Sequence, residues 1–178
     1  MKQLIALGAS SSKSSINKTL AIYTASKVKN SKVEVVDLND YELPLYGVDY
    51  ETENGIPEKV IKLNGILESI DGLVISLAEH NGSYAVAFKN TLDWLSRIDI
   101  KVWKDKPMLL LATSPGGRGG KIVLESAKTT FPFLGGNVVA HFSLPNFYDN
   151  FKENGILDNV LKTELMEQIQ LFEGHLNN

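Results

Sequence analysis

Short apolar runs alternate with stretches of helical periodicity along most of this chain. Five runs typical of buried strands cover residues 4–7, 33–38, 73–77, 108–112 and 137–142. Apolar residues recur every three or four positions between and after them, which predicts helices over about 17–29, 57–70, 85–97, 121–130 and 158–175. Residues 39–57 have no clear period, and we expect them to form a long irregular loop of the kind that lines binding sites.

The alternation of strands and helices determines the expected fold class. Strands that are joined in sequence by helices pair in parallel through right-handed crossovers. The sequence therefore predicts an α/β fold, a doubly wound five-stranded parallel sheet in the order 2-1-3-4-5 with helices on both faces. Ligands of such sheets bind at the carboxyl ends of the strands, beside the switch point between strands one and three. The loops at 8–17, 78–83 and 113–120 should meet there.

Composition and charge narrow the class of protein. The 178 residues suffice for a single domain over 1–178, and no apolar run approaches the roughly 20 residues of a membrane span. The formal charge is −3 without a cluster of basic residues, so we expect no nucleic-acid partner. The absence of cysteine removes disulfides and thiolate chemistry. The first apolar run is too short for a signal peptide, and we expect a cytoplasmic protein.

The loop Gly8-Ala-Ser-Ser-Ser-Lys-Ser-Ser-Ile-Asn17 places five hydroxyls at the start of a helix. Free N–H groups and the positive end of the helix dipole make such a loop a candidate phosphate site, with Ser14 or Ser15 as the helix cap. A loop that serves only to cap the helix is the alternative. Lys13 stands where a phosphate-loop NTPase would have its second glycine, and no G-x-G-x-x-G follows the strand. A mononucleotide phosphate therefore fits better than a triphosphate or a dinucleotide.

The other two loops are also unusual in composition. Asn81-Gly82 is a strong turn signal between a buried strand and a helix, with Ser83 as a possible helix cap. Glu79 and His80 are candidates for acid–base catalysis, although a surface turn carries the same residue types. The loop 113–120 has four glycines in the seven residues from Ser114, which lets its amides approach a flat ligand closely. A glycine loop that only turns the chain is the alternative.

Four blocks of sequence carry a family resemblance. They are Ser15-Ile-Asn17, Glu79-His-Asn-Gly-Ser-Tyr84, Lys89-Asn-x-x-Asp-Trp94 with the following Leu-Ser-Arg97, and Ser114-Pro-Gly-Gly117 with Gly119-Gly120. Together they resemble the NADPH-dependent FMN reductase family of flavodoxin-like proteins, which includes quinone, azo-dye and chromate reductases. The match extends from the first strand to the fifth, and its central block is the most specific part.

The resemblance implies a flavodoxin-like fold, FMN as cofactor, NADPH or NADH as donor, and a small acceptor such as a quinone, an azo compound or free flavin. It implies that the FMN phosphate lies at Ser10, Ser12, Ser15, Ile16 and Asn17. The flavin ring would lie beside Glu79, His80, Asn81, Gly82 and Ser83. Its pyrimidine side would face Ser114, Pro115, Gly116 and Gly117. We expect no catalytic side chain and no metal ligand, because the cofactor carries the chemistry.

Three positions depart from the family pattern. The arginine that usually precedes the serine of Ser15-Ile-Asn17 by three residues is Ser12 here, so Lys13, or hydroxyls and amides alone, must replace its charge. This change predicts weaker FMN binding. The family's Pro-Glu-Tyr-Asn is Ala78-Glu79-His80-Asn81, which exchanges a phenol for an imidazole that titrates near pH 6.5 when free. The proline that usually precedes the helix near Lys89 is also missing.

Partners and alternative functions follow from the same resemblance. The family forms dimers and tetramers, which implies a homodimer or homotetramer. Trp94 and Trp103 lie either at a subunit contact or in the core. A flavodoxin-type electron carrier would share the fold and FMN but usually shows a more acidic surface. A flavin-free binding module is a third interpretation. No G-x-S-x-G elbow supports a serine hydrolase.

Overall fold

A five-stranded parallel sheet forms the centre of the computed structural model, which describes residues 1–177. The strands are β1 (Lys2–Ala9), β2 (Ser31–Val36), β3 (Gly72–Leu77), β4 (Pro107–Thr113) and β5 (Asn137–Leu144). Their order in the sheet is 2-1-3-4-5, and Leu4 of β1 lies between Val33 of β2 and Gly72 of β3. The predicted strand order and the doubly wound fold class are confirmed.

Seven α-helices accompany the sheet within residues 1–177. They are α1 (Ile16–Ala25), α2 (Val48–Asn54), α3 (Glu58–Ser69), α4 (Val86–Ile98), α5 (Lys121–Thr130), α6 (Phe147–Asn150) and α7 (Asn159–Leu176). Two short 3₁₀ turns cover Leu38–Tyr41 and Phe131–Leu134. The first hairpin pairs Glu79–His80 with Ser83–Tyr84, and the second pairs Phe151–Lys152 with Gly155–Ile156.

The two faces of the sheet have separate cores because alternate strand residues point to opposite sides. Leu4 and Ala6 pack with α1 and α7, whereas Ile5 and Leu7 pack with α3, α4 and α5. Trp94 and Trp103 belong to the second core and are 0% and 1% exposed. Both indoles are therefore core residues, and neither is available for a subunit contact. In the described part of the chain, no helix combines the length and apolarity needed to cross a membrane.

The prediction of an irregular loop over 39–57 is wrong, because this segment contains a 3₁₀ turn and α2. Helix α2 buries none of its residues, so it leaves no apolar period in the sequence. An ion pair of 2.9 Å between Arg97 and Glu51 ties it to α4. The carbonyl of Pro44 accepts bonds from Asn90 Nδ2 at 3.0 Å and Trp94 Nε1 at 2.8 Å. Side-chain contacts with α4 therefore hold the segment.

The end of α1 and the cap of α4 also differ from the prediction. Helix α1 ends at Ala25 rather than near residue 29, because the N–H groups of Lys27 and Val28 bond carbonyls three residues back and tighten the chain. Ser83 does not cap α4, since it lies in the first hairpin and Ala85 holds the cap position without a side-chain bond. Ser83 pairs with His80 in that hairpin, and Tyr84 separates it from the cap position of the helix.

Candidate active site

The three loops meet at the carboxyl ends of β1, β3 and β4 and enclose a cleft of about 200 Å³. Its lining consists of Ser10, Ser12, Ser14, Ser15, Ile16, Asn17, Ala78, Glu79, His80, Thr113, Ser114, Pro115 and Tyr148. Nine of the fourteen residues predicted from the sequence are in this set. The other five, Asn81, Gly82, Ser83, Gly116 and Gly117, belong to the same loops but do not line the cleft.

The N-terminus of α1 opens into the cleft with unsatisfied donors. Ser15 caps the helix by accepting a bond of 3.1 Å from the N–H of Lys18. Within residues 1–177, the N–H groups of Ile16 and Asn17 have no protein acceptor. A Cβ at Gly8 would lie 2.4 Å from the backbone N of Lys18, so glycine allows α1 to begin directly against β1. Free N–H groups at a helix start are suited to a phosphate.

The side chain of Asn17 bonds neighbouring strands rather than pointing to a phosphate in the cleft. Its Oδ1 accepts bonds from Ser76 Oγ at 2.7 Å and from the N–H of Thr113 at 3.1 Å, and its Nδ2 donates to the Thr113 carbonyl at 3.2 Å. We call Asn17, Ser76 and Thr113 the polar clamp, because they join α1, β3 and β4. All three are buried. The side-chain oxygen of Asn17 is therefore fully used within the fold, and its backbone N–H is free for a ligand in the cleft.

The first hairpin places Glu79 and His80 in different roles. Asn81 (φ 53°) and Gly82 (φ 73°) form its tight turn, as the Asn-Gly signal predicted. Glu79 Oε2 accepts a bond of 3.0 Å from the N–H of Val123 in the first turn of α5. Gly120, at the cap position of that helix, has no side chain, so the Glu79 carboxylate stabilises the helix N-terminus instead. His80 is exposed at the edge of the cleft.

The glycine loop is hydrogen-bonded to the segment that follows β5. The N–H of Asn146 donates to the Gly116 carbonyl at 3.0 Å, and the N–H of Phe147 donates to the Ser114 carbonyl at 3.0 Å. These bonds bring Tyr148 of α6 to the cleft. Helix α6 has only four residues, which is too short for a periodic pattern, so no sequence signal marked Tyr148.

The cleft is lined without Lys or Arg. Lys13 does not line it, and Lys18 forms an ion pair of 2.6 Å with Asp37. The hydrogen bond from Lys18 holds the pKa of Asp37 below its usual value. A phosphate in this cleft would meet serine hydroxyls and backbone N–H groups rather than a cationic side chain. Among residues 1–177, no group of three or more His, Cys, Asp or Glu side chains could hold a metal ion.

The chain matches the sequence model of one family over residues 2–149, and that family is described as NADPH-dependent FMN reductase. The chain belongs to this family. It is therefore an oxidoreductase that uses FMN as its cofactor and a reduced nicotinamide as its donor. The neutral phosphate donors at the start of α1 and the open cleft beside them fit this cofactor.

The chain is also similar to individual proteins. The chain is similar to an uncharacterized protein of Mycoplasma pneumoniae, with 31% identity over 90% of this chain and 97% of that protein. It is similar to the quinone reductase of Escherichia coli K12, with 35% identity over 66% of this chain and 63% of that protein. The fold resembles FerB, a flavoenzyme NAD(P)H:(acceptor) oxidoreductase from Paracoccus denitrificans, with TM-score 0.78, 23% identity and coverage of 99% and 98% of the two chains.

Proposed function

We propose that the cleft binds FMN and that the enzyme transfers electrons from NADPH or NADH to a small acceptor such as a quinone, an azo compound or free flavin. One observation carries the proposal. The unsatisfied N–H groups of Ile16 and Asn17 face the same cleft as the first hairpin and the glycine loop. A site that joins an anion cradle to two loops able to flank a flat ring suits a phosphorylated flavin.

The proposed residue roles divide along the cleft. Hydroxyls of Ser10 and Ser12 and the N–H groups at the start of α1 hold the phosphate. The edge of the ring lies between His80 and the loop that begins with Ser114. Backbone N–H groups of Ser114, Gly116 and Gly117 would stabilise negative charge on the pyrimidine side, which requires no acidic or basic side chain. Pro115 has no N–H to contribute. These assignments make binding and orientation the main tasks of the protein.

FMN bound in this cleft would supply two-electron redox chemistry between the nicotinamide donor and the acceptor, and the residues that line the cleft would hold and orient it. With a quinone, one NAD(P)H, one quinone and one proton from solvent give NAD(P)⁺ and one hydroquinone. We propose a ping-pong cycle, because donor and acceptor would use the same open side of the ring in turn. Parallel lines in double-reciprocal plots would support this cycle, and intersecting lines would contradict it.

A quinone is the proposed first acceptor to test, since the quinone reductase of Escherichia coli is similar over two thirds of this chain.

Three further expectations accompany the proposal. All loops of the cleft come from one sheet, which supports a single FMN-binding domain over residues 1–178. A cytoplasmic location and a homodimer or homotetramer stay predictions. Sedimentation as a monomer at micromolar concentration would contradict the expected oligomer.

The deciding experiment loads the purified protein with FMN, removes free flavin and adds NADPH without oxygen. Rapid loss of the visible flavin absorbance, with recovery when a quinone is added, is the expected result. Bound flavin that NADPH or NADH reduces only slowly would favour the electron carrier. A protein that retains no flavin would favour a flavin-free module.

The phosphate site can be tested separately through the family's missing arginine. Ser12→Arg adds a cation to a cleft that is lined without Lys or Arg, and we expect it to tighten FMN binding about tenfold by a charge-assisted contact. Riboflavin, which lacks the phosphate, should bind with unchanged affinity. Ser11→Arg is the matched control, because Ser11 does not line the cleft. Equal effects of Ser12→Arg on FMN and riboflavin would contradict the phosphate position.

A further inference from the structure

A second cavity of about 450 Å³ lies beside the proposed flavin cleft. It is bounded by the loop after β1, by the segment after β2 and by the first two turns of α4. Its lining consists of Ser11, Lys13, Leu38, Asn39, Tyr41, Glu42, Leu43, Ala87, Asn90 and Thr91. None of these residues lines the flavin cleft, so the cavity is a separate compartment.

The two compartments share one wall. Along residues 10–15, which we call the serine loop, Ser10, Ser12 and Ser14 line the flavin cleft, whereas Ser11 and Lys13 line the second cavity. Alternate side chains of this loop therefore line opposite compartments. A ligand that reached from the flavin ring over this loop would next meet the side chains of Ser11 and Lys13.

The opposite wall is already in place in this structure. The side chain of Asn90 accepts a bond from the N–H of Tyr46 at 2.8 Å and donates to the Pro44 carbonyl at 3.0 Å. Trp94 donates to the same carbonyl, and the ring of Tyr46 packs edge-on against the indole at 5.0 Å. These contacts hold the segment after β2 against α4. The wall of the cavity opposite the serine loop is therefore held in place by hydrogen bonds of Asn90 and Trp94.

The groups left available in the cavity form a mixed set. Within the described residues, the Lys13 ammonium has no carboxylate within 4 Å, and the Ser11 hydroxyl has no protein partner. Leu38, Leu43 and Ala87 supply apolar surface, and Tyr41 adds an aromatic ring. Asn39 and Glu42 add an amide and a carboxylate, which can bond the hydroxyls of a ribose. A cation and a hydroxyl at one end, with aromatic and aliphatic surface at the other, suit a ligand with a phosphate and a flat base.

We infer that the second cavity binds the adenosine diphosphate half of the nicotinamide donor, with Lys13 and Ser11 at the pyrophosphate and the base against Tyr41, Leu43 and Ala87. This inference rests on the proposed function, which places the nicotinamide on the flavin beyond the serine loop. Along the dinucleotide the pyrophosphate lies between the nicotinamide and the adenine, just as the serine loop lies between the flavin cleft and the second cavity. From the flavin side, the pyrophosphate comes first at the shared wall and the base follows in the cavity.

Binding of ADP to the FMN-loaded protein, measured by calorimetry, tests the compartment without any turnover. Ala87→Leu fills the space beside α4 and should weaken ADP binding about tenfold, and Lys13→Gln should weaken it about fivefold. Val86→Leu and Lys62→Gln are the matched controls, because Val86 and Lys62 are exposed and lie outside the cavity. No binding of ADP, or equal binding by Ala87→Leu and the wild type, would overturn the inference.

Kinetics with a truncated donor separate this inference from the proposed function. Reduced nicotinamide mononucleotide lacks the adenosine half, so Ala87→Leu should raise the KM for NADH or NADPH about tenfold and leave the KM for the mononucleotide unchanged. An equal rise for both donors would overturn the inference while flavin reduction continued. Failure of the wild type to reduce FMN with any donor would instead defeat the proposed function, and the ADP measurement would still decide the cavity.

Discussion

The polar clamp and the serine loop lie next to each other and use the same kinds of side chain, but their hydrogen bonds differ. Asn17 of the clamp is 3% exposed and makes three hydrogen bonds with residues of β3 and β4. In the described chain, the hydroxyls of Ser12 and Ser14 in the loop make none with protein. Polar residues of one motif therefore divide into those that stabilise the fold and those left free for a ligand.

The largest expected effect comes from breaking the clamp. Asn17→Ala leaves the Ser76 hydroxyl and the Thr113 N–H buried without a partner, and we expect a loss of about 3 kcal/mol in the free energy of unfolding. Urea denaturation measures this loss. Ser14→Ala is the control and should change the stability by less than about 0.5 kcal/mol. Equal stabilities of the two variants would contradict the division between clamp and loop.

The second effect concerns the close contact between Gly8 of β1 and the backbone of Lys18, which places the start of α1 at the cleft. Gly8→Ala places a methyl group 2.4 Å from the backbone of Lys18, so the start of α1 must move. We expect a loss of about 2 kcal/mol in stability, together with weaker FMN binding. Gly65→Ala is the control, because it lies in α3 with open space around it and should stabilise the helix by about 0.5–1 kcal/mol. A Gly8→Ala protein with wild-type stability would show that the contact is not tight.

Glu79 lines the cleft, but the hydrogen bond that it accepts from Val123 indicates that it stabilises the fold, as the polar clamp does, rather than binding a ligand. Glu79→Ala removes the acceptor for the N–H of Val123 and the negative charge at the start of α5, and should cost about 1 kcal/mol of stability. Thermal or urea unfolding measures this cost. A variant that kept full stability but lost FMN would place Glu79 with the serine loop instead.

The ion pair of Lys18 and Asp37 adds a small, pH-dependent effect. The pKa of Asp37 is lowered in the folded protein by its hydrogen bond from Lys18, so this carboxylate stabilises the fold above its unfolded pKa near 3.9. The contribution is lost as the pH falls through the lowered value. We expect less than about 1 kcal/mol, because both side chains are 25% exposed. The stability difference between the wild type and Asp37→Asn should shrink between pH 7 and pH 3, and a constant difference would contradict the assignment.

The smallest change in stability should come from the serine loop itself. The double variant Ser12→Ala and Ser14→Ala removes hydroxyls without protein partners, so its unfolding should match that of the wild type within about 0.5 kcal/mol. FMN binding should weaken about tenfold, because the proposed phosphate donor Ser12 and a second hydroxyl that lines the cleft, Ser14, are lost. Fluorescence titration with FMN, alongside riboflavin, measures this loss. Unchanged FMN affinity would remove the serine hydroxyls from the proposed site.

Much of the site was predictable because its signals are local. The Ser15 cap, the Asn81-Gly82 turn and the alternation of strands and helices each depend on residues a few positions apart. The structure brings nine predicted residues into one cleft for this reason. Tyr148 was missed, since it reaches the cleft through hydrogen bonds of a four-residue helix that has no period.

The sequence by itself determined the strands, their order and the three loops at their carboxyl ends, because hydrophobic periodicity and turn chemistry act over short separations. Only the tertiary structure decided which side chains are free. Asn17 bonds Thr113 across 96 positions, and Glu79 bonds Val123 across 44. Tertiary packing likewise determines that Lys13 lines the second cavity rather than the flavin cleft. Partners so far apart depend on how the elements pack, and no local pattern along the chain encodes them.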